Sequence, residues 1–234
     1  MKPGVLITRR QAVFLLNFVA GWIDGVGFLA LVGSVQAFPS FMSGNSTKIV
    51  TDAVSGKFGL AAAIGGVVLA FILGTIVARL LNDGSKRRET AALVAVALGM
   101  WLASAGASAG WSKDTLLVAL AFTMGMINRS LQGRNGYTVH TFLSGAVVTI
   151  GSDIADAISG RGAWRQALVP LSIWGAILAG AALGAVVVLN IGLIGALIAP
   201  ALVVTGLALA NGLSWLQPAA DAQDGHPQAI AMHG

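Results

Sequence analysis

Residues 12–32 read AVFLLNFVAGWIDGVGFLALV, an apolar run in which Asp24 is the one charged residue. A helix needs roughly 20 such residues to cross a hydrocarbon core about 30 Å thick, so this run predicts a membrane span. It is longer than the apolar core of a signal peptide, and no small-residue cleavage site with a polar mature domain follows it, so it is expected to stay as the first span. Similar runs recur and predict spans at about 12–33, 59–81, 91–109, 115–128, 167–189 and 191–213. Periodicity inside them is poor, as expected for helices that are apolar all round.

Hydrophobic residues make up 56% of the 234 and charged residues 10%, whereas a soluble domain carries roughly 25% charged residues. Mean hydropathy is +0.82. These values exclude a soluble enzyme and predict an all-α, polytopic membrane protein with about six transmembrane helices in a single domain over 1–216. The tail 217–234, QPAADAQDGHPQAIAMHG, loses the apolar character and is expected to be disordered. The chain has no cysteine, so thiol nucleophiles, disulfides and thiolate metal sites are excluded. His226 and His233 stand in the tail, no His, Asp and Glu cluster has metal-ligand spacing, and no cofactor is expected.

The net charge of +5 does not predict nucleic-acid binding, because the bases fall between apolar runs instead of forming one surface. With the N-terminus inside, eleven bases are cytoplasmic: Lys2, Arg9, Arg10, Arg79, Lys86, Arg87, Arg88, Arg129, Arg134, Arg161 and Arg165. Three, Lys48, Lys57 and Lys113, are outside. The positive-inside rule then predicts that both termini are cytoplasmic.

The chain also repeats itself. Ala20-Gly21-Trp22-Ile23-Asp24 aligns with Met124-Gly125-Met126-Ile127-Asn128, and Phe41-Met42-Ser43-Gly44 aligns with Phe142-Leu143-Ser144-Gly145. Ile49, Thr51 and Asp52 then match Ile150, Ser152 and Asp153, and Ser55-Gly56-Lys57 matches Ser159-Gly160-Arg161. Each copy, about 12–109 and 115–213, contains three expected spans. An odd number forces the second copy to enter the membrane inverted, as in many transporters whose sites lie at the repeat interface.

Asp24 is the leading site candidate, because an ionised carboxylate at a helix centre costs at least ~2.5–3.5 kcal/mol on insertion scales. It is expected to take a proton or a coupling ion, with Asn128 facing it across the pseudo-symmetry axis; the alternative is a buried structural carboxylate. Arg129 is either its counter-ion or a cytoplasmic anchor.

Between spans, each copy holds an amphipathic segment expected to be a re-entrant half-helix, in the first of which Lys48 and Asp52 pair at i,i+4. If Ser43 and Ser144 cap these helices, the N–H groups around Gly44, Asn45, Ser46 and Gly145 point inward and select an anion or polar neutral solute. Asn45, Ser46 and Thr47 are the polar solute contacts on this reading. The alternative is two helices lying along the membrane surfaces. Gly65, Gly66, Gly74, Gly175, Gly180 and Gly184 are expected to serve helix packing. The tryptophans are expected mostly near span ends, and Gln132–Tyr137 to form a solvated turn.

The blocks GWIDGVGFL at 21–29, FMSGNST at 41–47, NRSLQGRNG at 128–136 and HTFLSG at 140–145 resemble the YoaK-like family of small bacterial membrane proteins of unknown function. The resemblance implies a bacterial inner-membrane protein of about six spans and supplies no substrate. Ser43 departs from the threonine more usual there but keeps the hydroxyl. The expected function is a secondary transporter or channel for a small polar or anionic solute. The alternative is a non-transporting protein that binds lipid or a partner through its cytoplasmic basic loops.

Overall fold

The computed structural model describes residues 4–31, 35–131 and 143–218. It is all-helical there apart from one isolated bridge between Ile7 and Leu216. The helices are α1 (Arg9–Ala30), α2 (Met42–Val54), α3 (Phe58–Leu81), α4 (Lys86–Ser108), α5 (Lys113–Ser130), α6 (Leu143–Ile158), α7 (Trp164–Ile191) and α8 (Leu193–Gly212). Of these, α1, α3, α4, α7 and α8 are long and apolar enough to cross a membrane. The fourth expected span, 115–128, corresponds to α5, which has Lys113, Asp114 and Arg129 at its ends and a largely buried apolar middle. The expected amphipathic segments are α2 and α6.

Local chemistry explains the boundaries. Thr8 caps α1 in a capping box with Gln11, and Ser112 accepts from the Thr115 N–H at the start of α5. The expected third span began at 91, but α4 starts at Lys86 and so takes the charged stretch Lys86–Glu89 into the helix. Before it, Asn82 Oδ1 accepts from Gly84 N and Asp83 Oδ1 from Ser85 N. The Ser85 N–H holds the exposed Asp83 carboxyl below the usual carboxylate range, so this turn loosens as pH falls through that lowered value. Gly192 alone joins α7 to α8, at φ 85°, a conformation that suits glycine.

Contacts between helices fix their directions. Gly21 lies on Ile177 and Gly25 on Ala181, so α1 and α7 run parallel. Thr75 Oγ1 donates to the Gly125 carbonyl and Asn82 Nδ2 to that of Arg129, so α3 and α5 are parallel too. Asn211 meets Thr90 while Trp101 donates to Thr205, making α4 and α8 antiparallel. Trp22 Nε1 donates to the Ala196 carbonyl while Ile7 pairs with Leu216, making α1 and α8 antiparallel as well. Gly99 beside Thr123 sets α4 against α5, and Trp111, in the short turn that joins them, folds back on Gly106, so these two are antiparallel. Thus α1, α4 and α7 run one way, and α3, α5 and α8 run the other.

The centre is a ring in the order α1, α8, α4, α5. Among the described residues, no backbone contact joins α1 to α4 or α5 to α8, so these pairs are diagonal. The ring is filled by apolar side chains including Leu16, Ile23, Leu93, Met100, Leu120 and Val204. Outside it, α7 packs on α1 and α3 on α5, with α6 on α7 and α2 on α3. Every packed pair maps onto another, or onto itself, when α1–α4 are exchanged with α5–α8.

Glycines make the outer pairs close. A Cβ at Gly21 would fall on the Ile177 carbonyl, and one at Gly180 on that of Phe18. The exchanged pair behaves alike: Gly125 would strike Phe71 and Gly74 would strike Phe122. Gly184 also meets the α1 backbone, at Trp22, whereas Gly65, Gly66 and Gly175 face open space, so the expected packing role falls on half of the six. Trp111, Trp164 and Trp215 lie near helix ends, but Trp22, Trp101 and Trp174 sit inside helices, contrary to the expectation of mostly terminal positions.

Residues 6–7 and 215–217 meet at the end of the bundle where α1 begins. Leu6 and Ile7 N–H donate to the Trp215 carbonyl, and the Gln217 N–H donates to Ile7. Gln217, the first residue of the expected tail, is therefore tied down; 219–234 lie outside the described residues. Because the chain has no native cysteine, an Ile7→Cys, Leu216→Cys variant is expected to form an internal disulfide on mild oxidation. A mobility shift that reductant reverses reads this, and absence of the crosslink would contradict the pairing.

Candidate functional site

The sharpest polar constellation lies where the chain leaves α1. Asp24 accepts from Ser40 twice, at 2.8 Å from the backbone N–H and at 2.5 Å from the hydroxyl. Asn45, fully buried, accepts from the Phe38 N–H at 2.9 Å and donates to the Phe38 carbonyl at 2.8 Å, as a neighbouring strand would. Phe38 stacks on Phe28 at 5.7 Å and meets Phe41 edge-on at 5.6 Å. A Cβ at Gly27 would strike the Pro39 ring. The Asp24 latch, the Phe28 stack and the Pro39 contact thus pin residues 35–41 against α1, and Asn45 ties the same segment to α2, which starts directly after Asp24's partner. Beside them is a cavity of about 370 Å³ lined by Phe28, Gln36, Ala37, Phe38 and Lys48. The expected Lys48–Asp52 pair is present, at a loose 3.8 Å.

Several sequence expectations are corrected here. Ser43 does not cap α2: the N-cap is Phe41, which offers no side-chain bond, and Ser43 is exposed within the first turn. Gly44 packs on the Phe41 ring. Ser46 and Thr47 are exposed, with hydroxyls donating back to the Met42 and Ser43 carbonyls. Ser144 and Gly145 are exposed in the first turn of α6, and the residue that would cap it lies outside the described residues, as does Gln132–Tyr137. Arg129 is not Asp24's counter-ion, and Asn128 does not face Asp24. Asn128 donates to the Met124 carbonyl near the end of α5, beside Asn82. Asp24 is 15 residues along α1 from Arg9, about 22 Å of helix rise toward the opposite end. Antiparallel α1 and α5 carry the matched residues to opposite ends.

A second constellation escaped the sequence reading. Arg9, read there only as a topology signal, is 1% exposed and grips Glu89, which is 0% exposed. Its Nη1 lies 3.0 Å from Oε1 and its Nη2 is closer still to Oε2, a bidentate fork, while Nε donates to the Gln217 carbonyl at 3.0 Å. This clasp crosses the ring diagonally from α1 to α4 at the end where residues 6–7 meet residues 215–217. Glu89 was hidden in a charged run, 80 residues from its partner, and no local pattern marks it.

Long apolar helices packed in alternating directions define a polytopic α-helical membrane protein. Residues 12–210 match a family described as a protein of unknown function, DUF1275, and the chain belongs to that family. Comparison with curated proteins and with solved structures found no match.

Proposed function

We propose that the chain is a secondary transporter of a small polar or anionic solute, built from two inverted three-span repeats in a bacterial inner membrane, with both termini cytoplasmic. One observation carries this reading: the packing exchanges onto itself between α1–α4 and α5–α8 while the matched helices α1 and α5 run oppositely. Inverted repeats of this kind let one half rock against the other around a shared site. The Arg9–Glu89 clasp then closes the cytoplasmic end of the ring.

The solute meets Lys48 in the cavity beside residues 35–41. Asp24 already occupies the Ser40 N–H just before α2, so an anion approaching that helix end competes with a resident carboxylate. A proton on Asp24 removes the competition, which couples anion entry to proton entry. In liposomes, uptake of small inorganic and organic anions is expected to rise with an inward proton gradient. Asp24→Asn should insert normally and lose that dependence. Gradient-driven uptake that survives in Asp24→Asn would remove the residue from the coupling.

The apolar filling of the ring, and the engagement of Asp24 and Asn45 within the chain, favour the second reading, a non-transporting lipid or partner binder. No uptake of any anion by protein that is folded in liposomes would select it.

A further inference from the structure

At the end of the bundle where α1 and α7 begin, these two helices enclose a groove of about 500 Å³ that includes Leu6, Arg10, Gln11, Phe14, Leu15 and Ser172. Its volume lies within the roughly 300–1,000 Å³ of small-molecule sites. Its polarity is layered. Arg10 and Gln11 occupy the first turn of α1, and Phe14 and Leu15 lie one turn deeper. The Gln11 side-chain oxygen Oε1 accepts from the Thr8 N–H and hydroxyl, both at 2.9 Å, which leaves the side-chain amide N–H groups as donors. Leu6 is 69% and Phe14 39% exposed, so the mouth opens outward from the helices, and in a membrane protein those surroundings are lipid.

We propose that this groove binds one anionic phospholipid, with its phosphate against Arg10 and Gln11 and an acyl chain along Phe14 and Leu15. A polar rim above an apolar floor, at the end of a membrane helix, matches the order of headgroup and chain in a lipid. Arg161 and Arg165, at the start of α7, add to the positive potential at that end, which favours a lipid with net negative charge. Inorganic phosphate has no apolar body to cover Phe14 and Leu15. The site stands whether or not the chain transports a solute.

The test titrates the detergent-purified full chain with short-chain phosphatidylglycerol, with phosphatidylcholine of the same chain length, and with inorganic phosphate, reading thermal shift and tryptophan fluorescence. Phosphatidylglycerol is expected to bind about fivefold more tightly than phosphatidylcholine. Arg10→Gln should abolish the difference. Arg161→Gln, whose side chain pairs with Asp156, should keep it. Leu15→Trp, which fills the floor and leaves Arg10 in place, should weaken both lipids and serves if Arg10→Gln does not fold. Equal affinity for the two lipids, a preference that survives Arg10→Gln, unchanged binding in Leu15→Trp, or an equal response to inorganic phosphate would each overturn the proposal.

Discussion

Glu89→Ala is expected to destabilise the protein by about 3–5 kcal/mol, because it removes the carboxylate that grips the buried Arg9 guanidinium. Burial decides the size of the effect. An exposed pair contributes roughly 0–1 kcal/mol, but here both side chains are withdrawn from solvent and held by a two-point fork. Arg9→Ala should cost a similar amount, since the buried charge left behind is then that of Glu89. The two losses should not add. In Arg9→Met, Glu89→Leu the charges disappear together, and most of the stability is expected to return, because a well-packed apolar pair often replaces a buried ion pair without loss. The Gln217 carbonyl then lacks its Nε donor, which keeps the recovery short of complete. Denaturant unfolding in detergent micelles measures all four proteins. A single variant that costs under about 1 kcal/mol would show that the clasp is solvated and not the closure described here.

Valine at Gly21 or Gly180 is expected to cost more than about 3 kcal/mol, at or beyond the upper end of ordinary overpacking. A side chain at either position meets the backbone of the partner helix, at Ile177 or Phe18, and not the flexible end of another side chain. The helices must separate, and in lipid close packing drives helix association without help from water. Gly125→Val and Gly74→Val should be equally damaging, because they interrupt α5–α3 in the corresponding way. Alanine at Gly65 or Gly175 enters open space and should be tolerated or stabilise by up to about 1 kcal/mol, the helix propensity difference. Melting temperatures of the six variants test this contrast, and uniform effects across the set would contradict the assigned packing.

The membrane class and helix order were legible because lipid imposes long apolar runs, and the matched blocks in the two halves were legible because they repeat in order. The limits of α4 were not. Its first turn carries Lys86, Arg87, Arg88 and Glu89, which a hydropathy reading assigns to a loop, yet Glu89 is buried by a partner that only the fold supplies. Asp24 was recognisable as an expensive charge in an apolar run, but its partner was not, since Ser40 reaches it only after the chain turns back on α1. Ser43 looked like a cap because serine commonly is one; here aromatic packing around Phe38 and Phe41 starts the helix two residues earlier. Trp22 and Trp101 were misjudged as interfacial for a related reason. Each satisfies its indole N–H on a neighbouring helix, buried Trp22 on the Ala196 carbonyl and exposed Trp101 on the Thr205 hydroxyl.

The inverted arrangement is tested most directly at the two equivalent turns. Ser55, between α2 and α3, and Ser159, between α6 and α7, are both exposed and lie at opposite ends of the bundle. Single Ser55→Cys and Ser159→Cys variants, free of any native thiol background, can be labelled in intact cells with a membrane-impermeant maleimide. The account predicts that Ser55→Cys is labelled from outside and that Ser159→Cys reacts only after the cells are opened. Labelling of both positions from the same side would contradict the inverted repeat and the transport mechanism built on it.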